Sequence, residues 1–295
     1  MTPKNKFKVC LILFFYVLGI GSIANAGGSP WTWLFSLKMV KVGDQMMMPT
    51  AVYVDEEKER YYVTDPIRSS LHSFEKNGTY LNTFNPYNKL LVPYDLVRDD
   101  EGIFWIVERG RNSFSKIDLK AKEIVTNSLE RDGKKIFPDR IALNGNNFYI
   151  LDKVSGDILE YDHSLKFSGS FQCKECQNGF VDFVIKDHSI WALDKPGKKV
   201  LRFNQNRELE RTILLKGPLS FPVALEIDKS GLIYILDSHQ ANISVFDQSG
   251  VLKYDFLAKG HNLGRLYYPK DLLLDPWGRL CVVDSGNGRV EVFSR

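Results

Sequence analysis

Apolar residues in this chain gather into short runs, and six of those runs close on an acid. They read "YYVTD" to Asp65, "FWIVE" to Glu108, "FYILD" to Asp152, "IWALD" to Asp194, "IYILD" to Asp237 and "LCVVD" to Asp284. Successive acids lie 43, 44, 42, 43 and 47 residues apart. Nine residues after each acid stands a bulky apolar side chain: Phe74, Ile117, Tyr161, Phe203, Phe246 and Phe293. Such agreement over six copies marks a repeat architecture.

Polar positions divide each unit further. Upstream of the runs lie "MPTAVYVD", "VPYDLVRD", "FPDRIALN", "FVDFVIKD", "FPVALEID" and "YPKDLLLD", and proline opens all but the fourth, where Val181 replaces it. Proline suits the start of a strand, where its missing N–H is tolerated. Turn sequences such as "DDEG", "DKSG" and "DPWG" separate this part from the apolar run. A second set of turns follows the bulky position and leads to a fourth segment such as Val251–Phe256. Each unit is therefore four short antiparallel strands. Its second strand is apolar at nearly every position, the mark of a strand covered on both faces. A four-stranded sheet covered on both sides by equivalent sheets is a propeller blade. The pattern predicts an all-β, six-bladed β-propeller.

The sixth unit ends at Arg295 after three strands. The missing outer strand is expected from "WTWLFSLKMV" (31–40), where Trp33, Phe35, Leu37 and Met39 alternate. Pairing it with the last blade closes the ring and removes two exposed sheet edges.

The repeat resembles the NHL family. The last two units carry the likeness best, in "FPVALEIDKSGLIYILDSHQANISVFD" and "YPKDLLLDPWGRLCVVDSGNGRVEVF", with the lead-in "GHNLGRLYYP" between them. Units two to four are degenerate: Glu108 stands for Asp, and the Gly-Asn turn is lost in places. The resemblance spans residues 46–295 and implies the propeller fold. For function it implies either a binding scaffold or one of a few enzymes.

The beginning of the chain changes the charge reading. Lys4, Lys6 and Lys8 precede an apolar run from Val9 to about Ile23, and Ala24-Asn25-Ala26 supplies a small-x-small cleavage signal. This pattern is that of a secretory signal peptide over 1–26, with an uncleaved anchor as the rival reading. Residues 27–45 then form an N-terminal segment that carries the closing strand. The whole chain has 39 basic and 36 acidic residues, and the first 26 hold three of the lysines and no acid. Without them the balance is even, so bulk attraction to nucleic acid has no support. A periplasmic or secreted monomer is expected, with no membrane span once the signal is cleaved.

The six acids Asp65, Glu108, Asp152, Asp194, Asp237 and Asp284 are read as turn residues whose carboxylates accept backbone N–H groups. The loops they open supply Arg68, Arg109, Arg111, Lys153, Lys195, Lys198, Lys199 and Arg289. The NHL resemblance places those loops on the channel-mouth face. This basic rim suggests an anionic ligand, or a protein, peptide or polysaccharide partner. The lead-ins carry Asp95, Asp139, Asp182 and Asp271, one or two residues after the proline position. Hard cations take several oxygen ligands, and lactonase-like six-bladed propellers, which the chain resembles in architecture, hold calcium this way; Arg140 and Lys270 are adjacent, and salt pairing with them explains these acids as well. A metal-dependent hydrolase or lactonase, or a lyase, is therefore the alternative function, with calcium or zinc as its cofactor. The peptide-amidating lyases, a second resemblance, bind zinc through histidines. Here His72, His163, His188, His239 and His261 share no repeat position, which argues against such a site. No nucleophile motif occurs in its required context. Export favours a disulfide between Cys173 and Cys176, while Cys281, inside an apolar run, reads as a buried thiol.

Overall fold

Each apolar run becomes the second strand of a four-stranded antiparallel sheet. The computed structural model describes residues 29–39, 45–85, 89–194, 196 and 198–295. The expected signal segment 1–26 and Lys195 lie outside the described residues.

In chain order, β1 (Thr32–Leu37) precedes the first blade, which is β2 (Val52–Asp55), β3 (Arg60–Asp65), β4 (Ser70–Glu75) and β5 (Tyr80–Phe84). Blade 2 is β6 (Pro93–Arg98), β7 (Phe104–Glu108), β8 (Ser113–Asp118) and β9 (Glu123–Asn127). A small hairpin, β10 (Glu130–Arg131) and β11 (Lys134–Lys135), intervenes. Blade 3 is β12 (Pro138–Asn144), β13 (Asn147–Asp152), β14 (Ile158–Tyr161) and β15 (Phe167–Phe171). Blade 4 is β16 (Asp182–Lys186), β17 (Ser189–Asp194), β18 (Lys199–Phe203) and β19 (Leu209–Leu214). Blade 5 is β20 (Pro222–Ile227), β21 (Ile233–Asp237), β22 (Asn242–Phe246) and β23 (Leu252–Phe256). Blade 6 is β24 (Asp271–Leu274), β25 (Leu280–Asp284) and β26 (Arg289–Ser294), completed by β1 in the order β1-β26-β25-β24.

The core lies between blades. Six buried clusters each join two neighbouring sheets. Cys281, Val283 and Val292 of blade 6, for example, pack on Tyr61, Val63 and Phe74 of blade 1. The bulky residue nine positions after each acid is buried in all six units, from Phe74 to Phe293. The first strands touch one another in the closed cycle β2, β6, β12, β16, β20, β24 and back to β2. They line the channel. Among the described residues no helix is long and apolar enough to cross a membrane.

The closing strand differs in detail from its sequence pattern. A bulge between Trp33 and Phe35 shifts the register of β1 on β26. A one-residue shift reverses which face a side chain takes. Trp31 and Leu37 are buried, whereas Trp33 and Leu34 are exposed. The Trp33 indole still donates to the buried Glu291 at 2.8 Å, and Ser36 Oγ donates to the same carboxylate.

The hairpin β10–β11 was not legible in the sequence. It sits in the lead-in to blade 3, anchored by buried Leu129 and Ile136 on either side.

Candidate functional site

In five of the six units the turn acid ties the lead-in of its own unit to the turn it opens. Asp237 accepts the N–H groups of Ser220 (2.6 Å) and Phe221 (2.7 Å) from the lead-in, and of His239 (3.0 Å) and Gln240 (2.9 Å) from the turn. Asp65 does the same for Met47 and Arg68, and Asp152 for Phe137 and Ser155. Asp284 takes Tyr267 N–H at 2.6 Å, and Glu108 takes Leu91 N–H. In blade 4, Asp194 instead pairs with Lys199 at 3.5 Å, and Val181 N–H goes to the Leu193 carbonyl. That unit lacks the opening proline. In the other five units the carboxylate holds the lead-in in place above the channel.

Below them five of the first strands place one residue each in a single ring around the channel. Asp95, Arg140, Asp182, Ala224 and Asp271 are all paired with the residue just before the turn acid: Val107, Leu151, Leu193, Leu236 and Val283. Asp95, Asp182 and Asp271 thus converge as the spacing suggested, but Asp139 does not. A bulge between Pro138 and Arg140 moves it one step outward. There it forms an ion pair with Arg109. Arg140 takes the ring position instead. The shift arises because blades 2, 3 and 5 carry this bulge after the proline, while no such irregularity interrupts β16 of blade 4. Counting from the proline therefore mixes two faces of the strand. Glu226, two residues beyond Ala224 on the same face, adds a fourth buried carboxyl group that the sequence reading did not single out.

The guanidinium of Arg140 lies among these acids. It is 3.6 Å from Asp182 and 3.4 Å from Asp271, and it donates to the Lys270 carbonyl at 2.9 Å. The other carboxylate oxygens bridge neighbouring blades. Asp95 accepts Ile141 N–H at 2.9 Å, Asp182 accepts Leu225 N–H at 2.8 Å, Glu226 accepts Leu274 N–H at 3.2 Å, and Asp271 accepts Val52 N–H at 3.3 Å. Residues of all six blades line a cavity of about 270 Å³ here. Burial drives the Asp95 and Glu226 carboxyls up to about 7 and Asp182 to about 8, against the pull of Arg140 on the two aspartates. Asp271 rises for the same reason. Burial pulls Arg140 down, but Asp271, Asp182 and Asp95 outweigh it and hold the guanidinium charged.

These carboxyl groups bind protons more tightly folded than unfolded. Their contribution to stability is complete below about pH 4 and is lost as pH rises through 7 to 8. Asp65 and Asp228, whose pKa values are lowered although burial opposes it, act only in the acid range below the usual carboxylate value. The melting temperature should therefore be several degrees higher at pH 5.5 than at pH 8.5, measured by calorimetry at constant ionic strength. A melting temperature that rises over that interval would contradict the assignment.

The carboxylates do not fit a calcium site. A cation already stands among them, and six of their oxygens are taken by backbone N–H groups. Among the described residues no group of three or more His, Cys, Asp or Glu is arranged to hold a metal ion. The histidines are dispersed. His72 is buried in β4 beside Thr83 and Ser70, His163 stacks on Phe148, His239 on Phe221, and His261 packs on Tyr267. Cys173 and Cys176 are joined by a disulfide in the lead-in to blade 4, and Cys281 is a buried free thiol.

The basic rim is less uniform than the sequence suggested. Arg289 is mostly buried and committed internally, to Asp284 at 3.2 Å, Glu291 at 2.8 Å and the carbonyls of His261, Asn262 and Arg265. Arg111 reaches back to Glu108 at 3.1 Å. Arg109 pairs with Asp139 and covers the Tyr94 ring at 3.1 Å. Arg68 is half-buried, while Lys153 and Lys198 are exposed. Beside Arg109, one residue before Asp271 in blade 6, stands Lys270. Burial, then Arg109 and Arg140, lower its pKa.

No protein-family model and no curated protein matches the sequence. Solved structures do resemble the fold. A streptogramin B lyase aligns with a TM-score of 0.65 and 11% identity, over 90% of this chain and 97% of its own. A catalytically inactive virginiamycin B lyase from Staphylococcus aureus, crystallised with quinupristin, gives 0.65 and 13% over 90% and 99%. A gluconolactonase from Xanthomonas campestris gives 0.67 and 12% over 88% of each chain. At these identities the likeness is one of fold.

Proposed function

We propose that this chain is an exported binding protein that takes an anionic ligand at its channel mouth and holds no metal in the channel. The observation that carries the reading is the place of Arg140. The protein supplies its own cation to the carboxylate ring, and two further cationic groups, Arg109 and Lys270, stand next to it. An aperture ringed by side-chain charge at the end of a low-dielectric channel focuses potential toward an oppositely charged ligand. The rigid ring of blades lets the mouth loops vary without loss of fold. The NHL-type repeat and the basic, apolar leader support the binding role and the export.

The alternative, a metal-dependent hydrolase, lactonase or lyase, is favoured by the kind of enzyme that shares the fold. The two readings separate on metal. Mature protein exported to a bacterial periplasm should contain far less than one calcium or zinc per chain by mass spectrometry. Its melting temperature should be unchanged by a chelator. One tightly held ion per chain, with a lower melting temperature after chelation, would overturn the binding reading in favour of the enzyme.

A further inference from the structure

We propose that the anion bound at the mouth is the C-terminal carboxylate of a peptide with apolar side chains, held by Lys270 and seated on an apolar crescent formed by blades 6, 1 and 2. This inference rests on the binding reading above and gives it a ligand class.

Three residues occupy the position just outside the ring on blades 2, 3 and 6: Tyr94, Asp139 and Lys270. Asp139 is paired with Arg109, and Arg140 is engaged by Asp182, Asp271 and the Lys270 carbonyl. The Lys270 ammonium, half-buried, makes no ion pair or hydrogen bond to any described residue. It stands between two guanidinium groups with no acid of its own. A carboxylate arriving from solvent would relieve that repulsion. An ion-assisted hydrogen bond in a partly desolvated place is stronger than one between neutral groups.

At the same end of the blades as Lys270, the lead-ins and loops of blades 6, 1 and 2 expose apolar side chains. Tyr268 of blade 6 is 45% exposed, Met47 and Met48 of blade 1 are 53% and 46%, Ile67 of the β3–β4 loop is 59%, and Leu91 of blade 2 is 44%. Single exposed apolar residues are ordinary, but a group of them on one functional face marks a contact surface. Methionine and tyrosine adapt well to varied partners. Charge selects the end of the ligand, and the crescent selects its side chains. The apolar groups stand on separate lead-ins and loops of three blades. A peptide end, with one carboxylate and side chains that splay outward, matches this arrangement better than a fatty acid.

The test uses the whole mature protein and isothermal titration at pH 7. The probes are N-acetyl tripeptides ending in Leu, Phe or Val, each as free acid and as C-terminal amide. The free acids should bind roughly tenfold or more tightly than the amides, the effect of one charge-assisted contact. Lys270→Gln should erase that difference while leaving the melting temperature unchanged. The double variant Met47→Ser, Leu91→Ser should weaken acid and amide alike. Equal binding of acid and amide, or a preference that survives Lys270→Gln, overturns the proposal. So does decanoate that competes as well as the peptides, since the occupant is then an acyl carboxylate. If no tripeptide binds but a sulfated polysaccharide does, the peptide assignment fails and the anion-binding reading stands. If no anion binds and a chelatable metal is found, both fail.

Discussion

An in-frame deletion of residues 31–39 should yield protein that aggregates, or that melts at least about 10 °C lower than the intact chain. The fourth strand of blade 6 comes from this segment, and its removal bares the whole length of β26 as a new sheet edge. Unpaired edges of this kind recruit other chains. Trp31 and Leu37 leave the core, each worth about 1.5–3 kcal/mol of burial. Glu291, wholly buried, loses the Trp33 indole and the Ser36 hydroxyl and keeps Arg289 and Gly264 N–H. A buried charge stripped of donors adds about 1–3 kcal/mol more. For a domain near this size each kcal/mol moves the melting temperature by about 2–4 °C, so the sum reaches the stated shift. The measurement is thermal melting with light scattering at two protein concentrations. A soluble monomer with an unchanged melting temperature would mean that β1 does not close the ring.

The second large effect is expected at Arg140. Arg140→Met should lower the melting temperature by about 10 °C at pH 8, since breaking a buried ion pair by removing one partner costs about 3–5 kcal/mol. Asp95, Asp182 and Asp271 would then face one another across the channel without a cation. At pH 5 the loss should shrink sharply. There the carboxyl groups hold their protons, and a neutral acid has no need of a guanidinium. The direction follows from their raised pKa values: removing Arg140 raises them further, and the cost appears only where the charged form is forced on the folded state. Equal losses at both pH values would assign Arg140 to packing alone. No loss at pH 8 would remove the argument that the protein supplies its own channel cation.

The repeat itself was open to inspection because a blade is a local object. Its strands are consecutive in the chain, its turns need recognisable residues, and its second strand must be apolar on both faces. Asp237 and Phe246 could be paired by counting because their spacing is a property of one hairpin. The convergence of Asp95, Asp182 and Asp271 was also legible, since each opens an equivalent strand. Which of Asp139 and Arg140 would join them was not. A bulge after Pro138 exchanged their faces, and nothing in "FPDRIALN" announces it. Arg289 looked like a rim cation from its loop. Only the chain around it, from His261 to Arg265 and across to Glu291, reveals that it is consumed inside the blade.

What the sequence by itself determined is therefore the period, the all-β class, the number of blades and the strand that completes the last one. Each of these follows from side-chain alternation and turn chemistry within some forty residues of chain. What only the tertiary structure decided is which groups face the channel and with what charge. Six strands from distant parts of the chain meet there. One extra residue in a strand reverses its faces, and burial beside Arg140 resets the protonation of every acid in the ring.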